Sequence, residues 1–370
     1  MKRLLIDVNP IVPYFVSGKV NGIGRTTLEL IQALARVPNL PFEIMLYSQN
    51  MKGIGGCNTG LPFKSRHLYL PYRPEVDKLL SRFPVREWFT GYDLMHITHN
   101  FEYVHCPERC VLTIHDAMFF SYPESFLGHD FARENYPKLA KKVKAIITCS
   151  ENSKREIVEY MQIPDEKITV CYWGYNHELF FPREWTPNKY TGNRPYFLSV
   201  SCDIGRKNTI SVLRAYELLL KQNPQNDLVL VWRNPPIDIK EKYTTSPFAG
   251  RIHFVSNVTD EELGRLYSSA TAMFFPSKYE GFGLPVLESM ASGTPVITCN
   301  NSSLREVGGD AALYVEPEDI HSMAHIMEQF ENSDLDISAI KKAGIEQASK
   351  FSWDTCARQT IEVYKRCLEL

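Results

Sequence analysis

The sequence predicts an α/β fold with parallel sheet, arranged as two doubly wound halves, and three observations carry that prediction. Short apolar runs alternate with helical stretches along the chain. The alternation pauses over residues 182–195, which hold three prolines and little apolar content, and then restarts. The 370 residues also exceed the roughly 250–300 at which a single hydrophobic core stops growing.

Residues 4–8 read as a buried strand. A glycine-rich loop (Gly18, Gly22, Gly24) follows, then a helix whose apolar face is Leu28, Ile31, Leu34 and Ala35. Thr26 and Glu29 have capping-box spacing at its start. Further strands fall at 42–47, 94–97, 111–114 and 145–148, with helical stretches between several of them, as around 138–143. Beyond the linker, strands fall at 196–200, 228–232, 253–255, 272–275 and 295–298. Helices fall near 209–221, 260–268, 285–292, 319–331 and 337–349. In open α/β sheets, ligands bind at the carboxyl ends of the strands, so two such domains facing each other place a site in the cleft between them.

Composition narrows the function. Lys plus Arg is 41 and Asp plus Glu is 43, a net charge of −2. That balance argues against a nucleic-acid binder but leaves room for a local basic pocket. Nine scattered cysteines, with no C-x-x-C pair, read as reduced thiols. Asp7 and Pro10 interrupt the amino-terminal segment before an apolar signal region could form, and no run approaches the roughly 20 residues of a membrane span. The expectation is a cytoplasmic protein, with peripheral contact at the inner membrane face left open.

Four segments carry candidate chemistry. In 276–293, Gly281 and Gly283 allow a tight turn, Pro285 suits the first helical position, and Gly293 suits the exit. The amides there form a helix amino terminus that attracts phosphate. Glu280 lies before the helix and Glu288 in its first turn; a carboxylate accepts two hydrogen bonds and so suits a vicinal diol. On spacing alone, two solvated glutamates remain an equal reading. Arg206 and Lys207 follow one strand and precede a helix, where a cation pair neutralises a diphosphate or sits in solvent. The Gly22-Ile-Gly-Arg25 loop is neither a dinucleotide fingerprint nor a P-loop, yet permits close approach to a ligand. His115 ends the strand 111–114. His96 and His99 read as structural, Asp334-Leu-Asp336 as a solvated helix start, and Lys141, Lys142 and Lys144 as a solvated helix end.

Taken in order, these pieces resemble the retaining glycosyltransferases of family 4, or group 1, and in particular bacterial polysaccharide mannosyltransferases. Glu280-Gly-Phe-Gly-Leu-Pro-Val-Leu-Glu288 is similar to the family's E-x7-E segment. Gly22-Ile-Gly-Arg25, Ile114-His-Asp116, the segments 147–154 and 168–174, Gly205-Arg-Lys-Asn208, 258–263, 307–312 and Phe351-Ser-Trp353 agree in order, so the likeness spans nearly the whole chain. The resemblance implies a GT-B fold, two Rossmann-like domains facing a central cleft. The expected acceptor-side domain is 1–185, completed by a closing helix at about 353–370, and the nucleotide-sugar domain is 195–352. It implies that Arg206 and Lys207 hold a diphosphate and that Glu288 binds the ribose. Glu280 and the amides of Phe282, Gly283 and Leu284 would hold the transferred sugar, and Val258 would line the base. Gly24 would lie close to the phosphates, and His115 would face the donor sugar. Glu280 and His115 are the catalytic candidates. No metal or cofactor is expected.

The implied reaction moves a hexose, with GDP-mannose favoured as donor, to a glycan or lipid-linked glycan with retention of configuration, in surface polysaccharide or lipopolysaccharide biosynthesis. A GT-B-fold nucleotide-sugar epimerase, a glycoside hydrolase using Glu280 and Glu288, and a non-catalytic sugar-nucleotide sensor remain alternatives. The chain departs from the family pattern at Trp232-Arg-Asn-Pro-Pro236, at Thr26 where a tyrosine is common, and at Cys202.

Overall fold

A computed structural model describes residues 1–18, 21–51, 60–99, 103–125, 128–245 and 249–370. The chain divides into two compact units, Met1–Gly174 with Ser352–Leu370, and Tyr175–Phe351. No helix among the described residues is long and apolar enough to cross a membrane.

In the first unit the described strands are β1 (Lys2–Asp7), β2 (Phe42–Gln49), β3 (Lys64–Leu68), β4 (Leu94–Ile97), β5 (Cys110–Thr113), β6 (Ala145–Thr148) and β7 (Ile168–Val170). They pair in parallel in the order β3-β2-β1-β4-β5-β6-β7. The helices are α1 (Val12–Ser17), α2 (Gly22–Ala35), α3 (Pro74–Leu80), α4 (Val85–Thr90), α5 (Met118–Ser121), α6 (His129–Lys142) and α7 (Glu151–Met161). Side chains alternate across the sheet, so Leu4 and Ile6 enter one core while Leu5 enters the other. The first core takes Leu30, Ile31 and Leu34 of α2, and the second takes Tyr136 and Leu139 of α6 and Ile157 of α7.

In the second unit β8 (Tyr196–Val200), β9 (Asp227–Val231), β10 (Ile252–Val255), β11 (Ala272–Phe275), β12 (Val296–Cys299) and β13 (Leu313–Val315) form a parallel sheet in the order β10-β9-β8-β11-β12-β13. Helices α8 (Thr209–Leu220), α9 (Ile237–Thr245), α10 (Asp260–Ser269), α11 (Leu284–Ala291), α12 (Leu304–Gly308), α13 (Ile320–Glu331) and α14 (Ile337–Ala348) accompany it. The chain then returns to the first unit as α15 (Trp353–Leu368). Trp353, Ala357, Ile361 and Tyr364 of α15 complete the core that holds α2. Trp353 stacks on Trp173 at 6.4 Å. Residue 174 must be glycine, because a Cβ there would collide with the backbone of Ser352 and Trp353.

Several expectations change. The division falls at Gly174 rather than in 182–195, because Phe180 is already buried in the second unit, packed edge-on against Tyr267 at 5.8 Å. The stretch 182–195 belongs to that unit, held by the Asn188–Gly192 bridge and by Arg194 paired with Asp227 at 2.8 Å. Gly22 and Gly24 are helical rather than in a loop. Asn21 caps α2, its Oδ1 accepting from the Gly24 amide at 2.8 Å. Thr26 is therefore inside the helix, and its hydroxyl donates back to the Ile23 carbonyl at 3.0 Å instead of capping. The edge strands β3, β7 and β13, and the helices α3, α4 and α9, lie outside the strands and helices that the sequence reading placed. Eight cysteines are free thiols, and the ninth, Cys57, lies outside the described residues.

Candidate functional site

The sheet of the second unit reverses its winding between β8 and β11, and the loops leaving those two strands meet there. The β8 loop is a closed turn: Asp203 accepts from the Lys207 amide at 3.0 Å, and the Thr209 hydroxyl bonds the Asp203 amide at 3.1 Å. Asn208, with φ of 57°, heads α8 and donates to the carbonyl of Pro276 at 3.2 Å and to that of Pro317. That side chain ties the β8 loop to the ends of β11 and β13.

This tie brings Arg206 and Lys207 onto Glu280. Arg206 Nη1 lies 2.8 Å and Lys207 Nζ 2.6 Å from Glu280 Oε1. The Ser277 hydroxyl donates to the same oxygen at 2.7 Å. Arg206 also donates to the Tyr279 carbonyl at 2.6 Å, and the Lys207 ammonium stands over the Phe275 ring at 4.8 Å. These three contacts on Glu280 all fall on Oε1, so Oε2 has acceptor capacity left. Burial alone would raise the pKa of the Glu280 carboxyl, but Lys207 and Arg206 more than offset it, so the pKa lies below the usual value and the group is ionised at neutral pH. Burial lowers the pKa of Lys207, with the charge of Glu280 pulling the other way.

The turn beyond Glu280 is equally fixed. The Ser302 hydroxyl accepts from the Glu280 amide at 3.0 Å, and the Ser303 hydroxyl lies 2.8 Å from the carbonyls of both Glu280 and Phe282. Phe282 is buried edge-on against Phe351 at 5.9 Å. Gly283 precedes α11 with φ of 103°, a conformation that favours glycine, and a Cβ there would press on Leu304 at 2.9 Å. No side chain caps α11, and among the described residues the amides of Gly283 and Leu284 donate to nothing. The helix therefore presents its positive end beside the cation pair.

Two details of the sequence reading are corrected. Pro285 takes the second helical position, because Leu284 opens α11. Glu288 accordingly sits in the second turn rather than the first; it is buried and accepts from the Tyr267 hydroxyl at 3.2 Å. Val258 is half-buried just before α10, whose Thr259–Glu262 capping box fixes the chain direction there. Cys202 is buried with its thiol pushed up to about 12 by desolvation, which makes it inert packing.

Gly24 and His115 lie in the first unit. The Gly24 amide is already occupied by Asn21. His115 is buried at the end of β5, and its Nε2 lies 3.1 Å from the Thr98 carbonyl. A carbonyl only accepts, so Nε2 holds the proton and Nδ1 is a lone-pair acceptor. Among the described residues Nδ1 has no partner, and neither does the buried Thr148 hydroxyl. Both residues line a small cavity with Thr98, Thr113, Trp173 and Trp353, whose roughly 20 Å³ admits about one water centre. Desolvation pulls the pKa of His115 down to about 4, so the ring is neutral at pH 7. His96 bridges Tyr364 at 2.6 Å and Thr113 at 2.7 Å, and its pKa falls to about 3 through burial. His99 lies 3.8 Å from Asp7.

Sequence reading misses Ser277, Ser302, Ser303, Asn208 and Tyr267. A signal existed for two of them: the polar run Asn300-Asn-Ser-Ser303 directly follows β12, at the carboxyl end of the sheet.

Comparison with known proteins gives a consistent picture. Residues 184–348 match the family described as glycosyl transferases group 1, and residues 20–179 match glycosyltransferase family 4. The chain is 32% identical to the O-antigen chain mannosyltransferase B of Escherichia coli, over 94% of this chain and 96% of the relative. Among solved structures it is similar to sucrose-phosphate synthase from Thermosynechococcus elongatus, with a TM-score of 0.76, 18% identity and full coverage of both chains. It is also similar to Anabaena HepE in complex with UDP-glucose, with a TM-score of 0.72, 16% identity, and coverage of 99% of this chain and 100% of that one.

Proposed function

The chain belongs to the group 1, family 4 glycosyltransferases, and from that premise we propose that it transfers a hexose with retention from a nucleotide-diphosphate sugar, GDP-mannose favoured, to a glycan or lipid-linked glycan hydroxyl during surface polysaccharide synthesis. The observation that carries this reading is the convergence of Arg206 and Lys207 on Glu280 at the head of α11. Mannose as the sugar rests on the Escherichia coli relative's name. A nucleotide-sugar donor is in keeping with the HepE complex.

Breaking a sugar–phosphate bond builds negative charge on the departing diphosphate. Arg206, Lys207 and the free amides of α11 are fixed in place beforehand, so they stabilise that charge without reorganising. Glu280 Oε2 accepts from hydroxyls of the transferred sugar, and Glu288 binds the ribose diol. Val258 lines the base, and Gly24 approaches the phosphates. His115 is neutral and offers the Nδ1 lone pair to a donor-sugar hydroxyl. A phosphate oxygen of the donor takes the acceptor's proton, so no side chain serves as a covalent nucleophile. With two cations at the diphosphate, the reaction proceeds without a metal. Glu280, held ionised, is unsuited to be the protonated acid that glycoside hydrolysis requires. The enzyme works in the cytoplasm, at the inner membrane face where a lipid-linked acceptor is reached.

A thermal-shift screen against GDP, UDP, ADP and dTDP sugars tests the donor. Ligand at about 100 times its Kd adds roughly 2.7 kcal/mol to the folded state. A shift with GDP-mannose alone supports the reading, and a shift confined to another series replaces the base. Activity that a chelator abolishes and Mg²⁺ or Mn²⁺ restores would overturn the metal-free mechanism.

A further inference from the structure

We propose that residues 69–89 of the first unit form a surface that docks onto an anionic lipid bilayer, which deepens the peripheral-membrane part of the proposed function. Two short helices, α3 and α4, are built inside out. Each buries polar residues and exposes apolar ones. The buried residue of α3 is Asp77, and those of α4 are Arg86 and Thr90. Asp77 and Arg86 pair at 2.8 Å, and Arg86 donates to the Tyr103 carbonyl at 2.6 Å while Gln49 donates to Asp77 at 3.2 Å.

Helical spacing fixes what faces away from that pair. Leu79 is two residues beyond Asp77, and Trp88 two beyond Arg86, each about 200° around its helix. Leu79 is 57% and Trp88 76% exposed. Phe83, in the turn between the helices, is 56% exposed, and Phe89, Tyr72 and Tyr69 are exposed as well. A helix in water turns its apolar stripe inward, so this reversal needs an apolar partner outside. The turn is closed by backbone bonds from Arg82 to Leu79 at 3.2 Å, from Phe83 to Leu80 at 3.1 Å and from Val85 to Phe83 at 2.8 Å, and the Asp77–Arg86 pair ties α3 to α4, so both helices present the face together.

The charges around it select a bilayer. Over residues 66–89, Arg66, Arg73, Lys78 and Arg82 are exposed and enter no ion pair among the described residues, against Glu75 as the exposed carboxylate. Trp and Tyr favour the headgroup level, Leu and Phe the acyl boundary, and Lys and Arg the anionic headgroups.

The test is co-sedimentation of the full chain with phosphatidylcholine vesicles, with and without phosphatidylglycerol. The surface predicts binding to the anionic vesicles, weakened by added salt. The double variant Leu79→Ser/Trp88→Ser should lose at least about tenfold in partition at an unchanged melting temperature, since both side chains are exposed. Variant binding equal to the parent's would sink the proposal, as would a parent that ignores both vesicles. So would self-association that the double variant abolishes in a chain that binds no vesicle, because the partner would then be a second copy. Transfer to a water-soluble acceptor separates the two readings: a parent that docks but transfers no sugar leaves the surface standing and removes the proposed reaction.

Discussion

The carboxyl end of the second unit's sheet, at β8 and β11, is built from charge, and the cavity beside β5 and β6 of the first unit is lined by neutral groups. The two sheets share one winding order, yet one end holds Arg206, Lys207 and Glu280 within 2.8 Å contacts, while the other holds uncharged His115, Thr98 and Thr148 around a cavity of about 20 Å³. Topology provides the crevice, and the side chains decide what may enter it. Fixed cations suit an anion; a neutral imidazole with a free lone pair suits a hydroxyl.

The largest effect should come from the charged end. Glu280→Gln removes the anion that both cations face, and turnover should fall on the order of a hundredfold or more with donor affinity little changed. Steady-state rates beside calorimetric Kd values check this, and parent-like turnover would remove Glu280 from the chemistry.

Acid should separate the units next. His115 and His96 have folded pKa values near 4 and 3 against 6.5 unfolded, so the unfolded chain binds more protons between those limits. Stability is complete above about pH 6.5 and is lost as pH falls toward 4, by on the order of 3 kcal/mol per histidine. Glu280 and Asp227 are shifted downward, so their stabilisation is present above their unfolded values near 4 and is lost below them. Hydrogen exchange at pH 5 should therefore show the first unit opening more than the second; equal protection would erase the contrast.

Lys207→Ala should weaken donor binding by roughly tenfold to a hundredfold, the value of a charged hydrogen bond. Unchanged affinity in calorimetry would count against its phosphate role. The smallest effect belongs to the first unit: Asn21→Ala removes the α2 cap and should cost about 1 kcal/mol in a denaturant melt. No change there would mean that the Gly22–Gly24 turn holds itself.

Much of this was legible in the sequence because the central strands are continuous apolar runs, as in Leu4 to Ile6 or Met273 to Phe275. The edges were not. Lys64–Leu68 is polar because β3 is an edge strand, paired on one side among the described residues, and Leu313–Val315 is only three residues long. Glycines 22 and 24 read as loop because glycine weakens helices, and the cap that rescues them is a contact of Asn21. Glu280 and its cations stood out as residue types, but the serine hydroxyls that fix them come from two loops, Ser277 after β11 and Ser302-Ser303 after β12, which the sheet brings together. The exposed face of α3 and α4 was hidden too, because Leu79 and Trp88 look like core until Asp77 and Arg86 are seen to occupy the inside.

The return of α15 to the first unit sets an order of assembly. As the chain leaves the ribosome, the first unit emerges first but lacks Trp353, Ala357, Ile361 and Tyr364, the side chains that cover Leu30, Ile31 and Leu34. The second unit holds all its strands in one uninterrupted stretch and can close its sheet while the first still waits. The part made earliest is thus finished last, and a nascent chain stopped before residue 353 leaves an oily face for chaperones to hold.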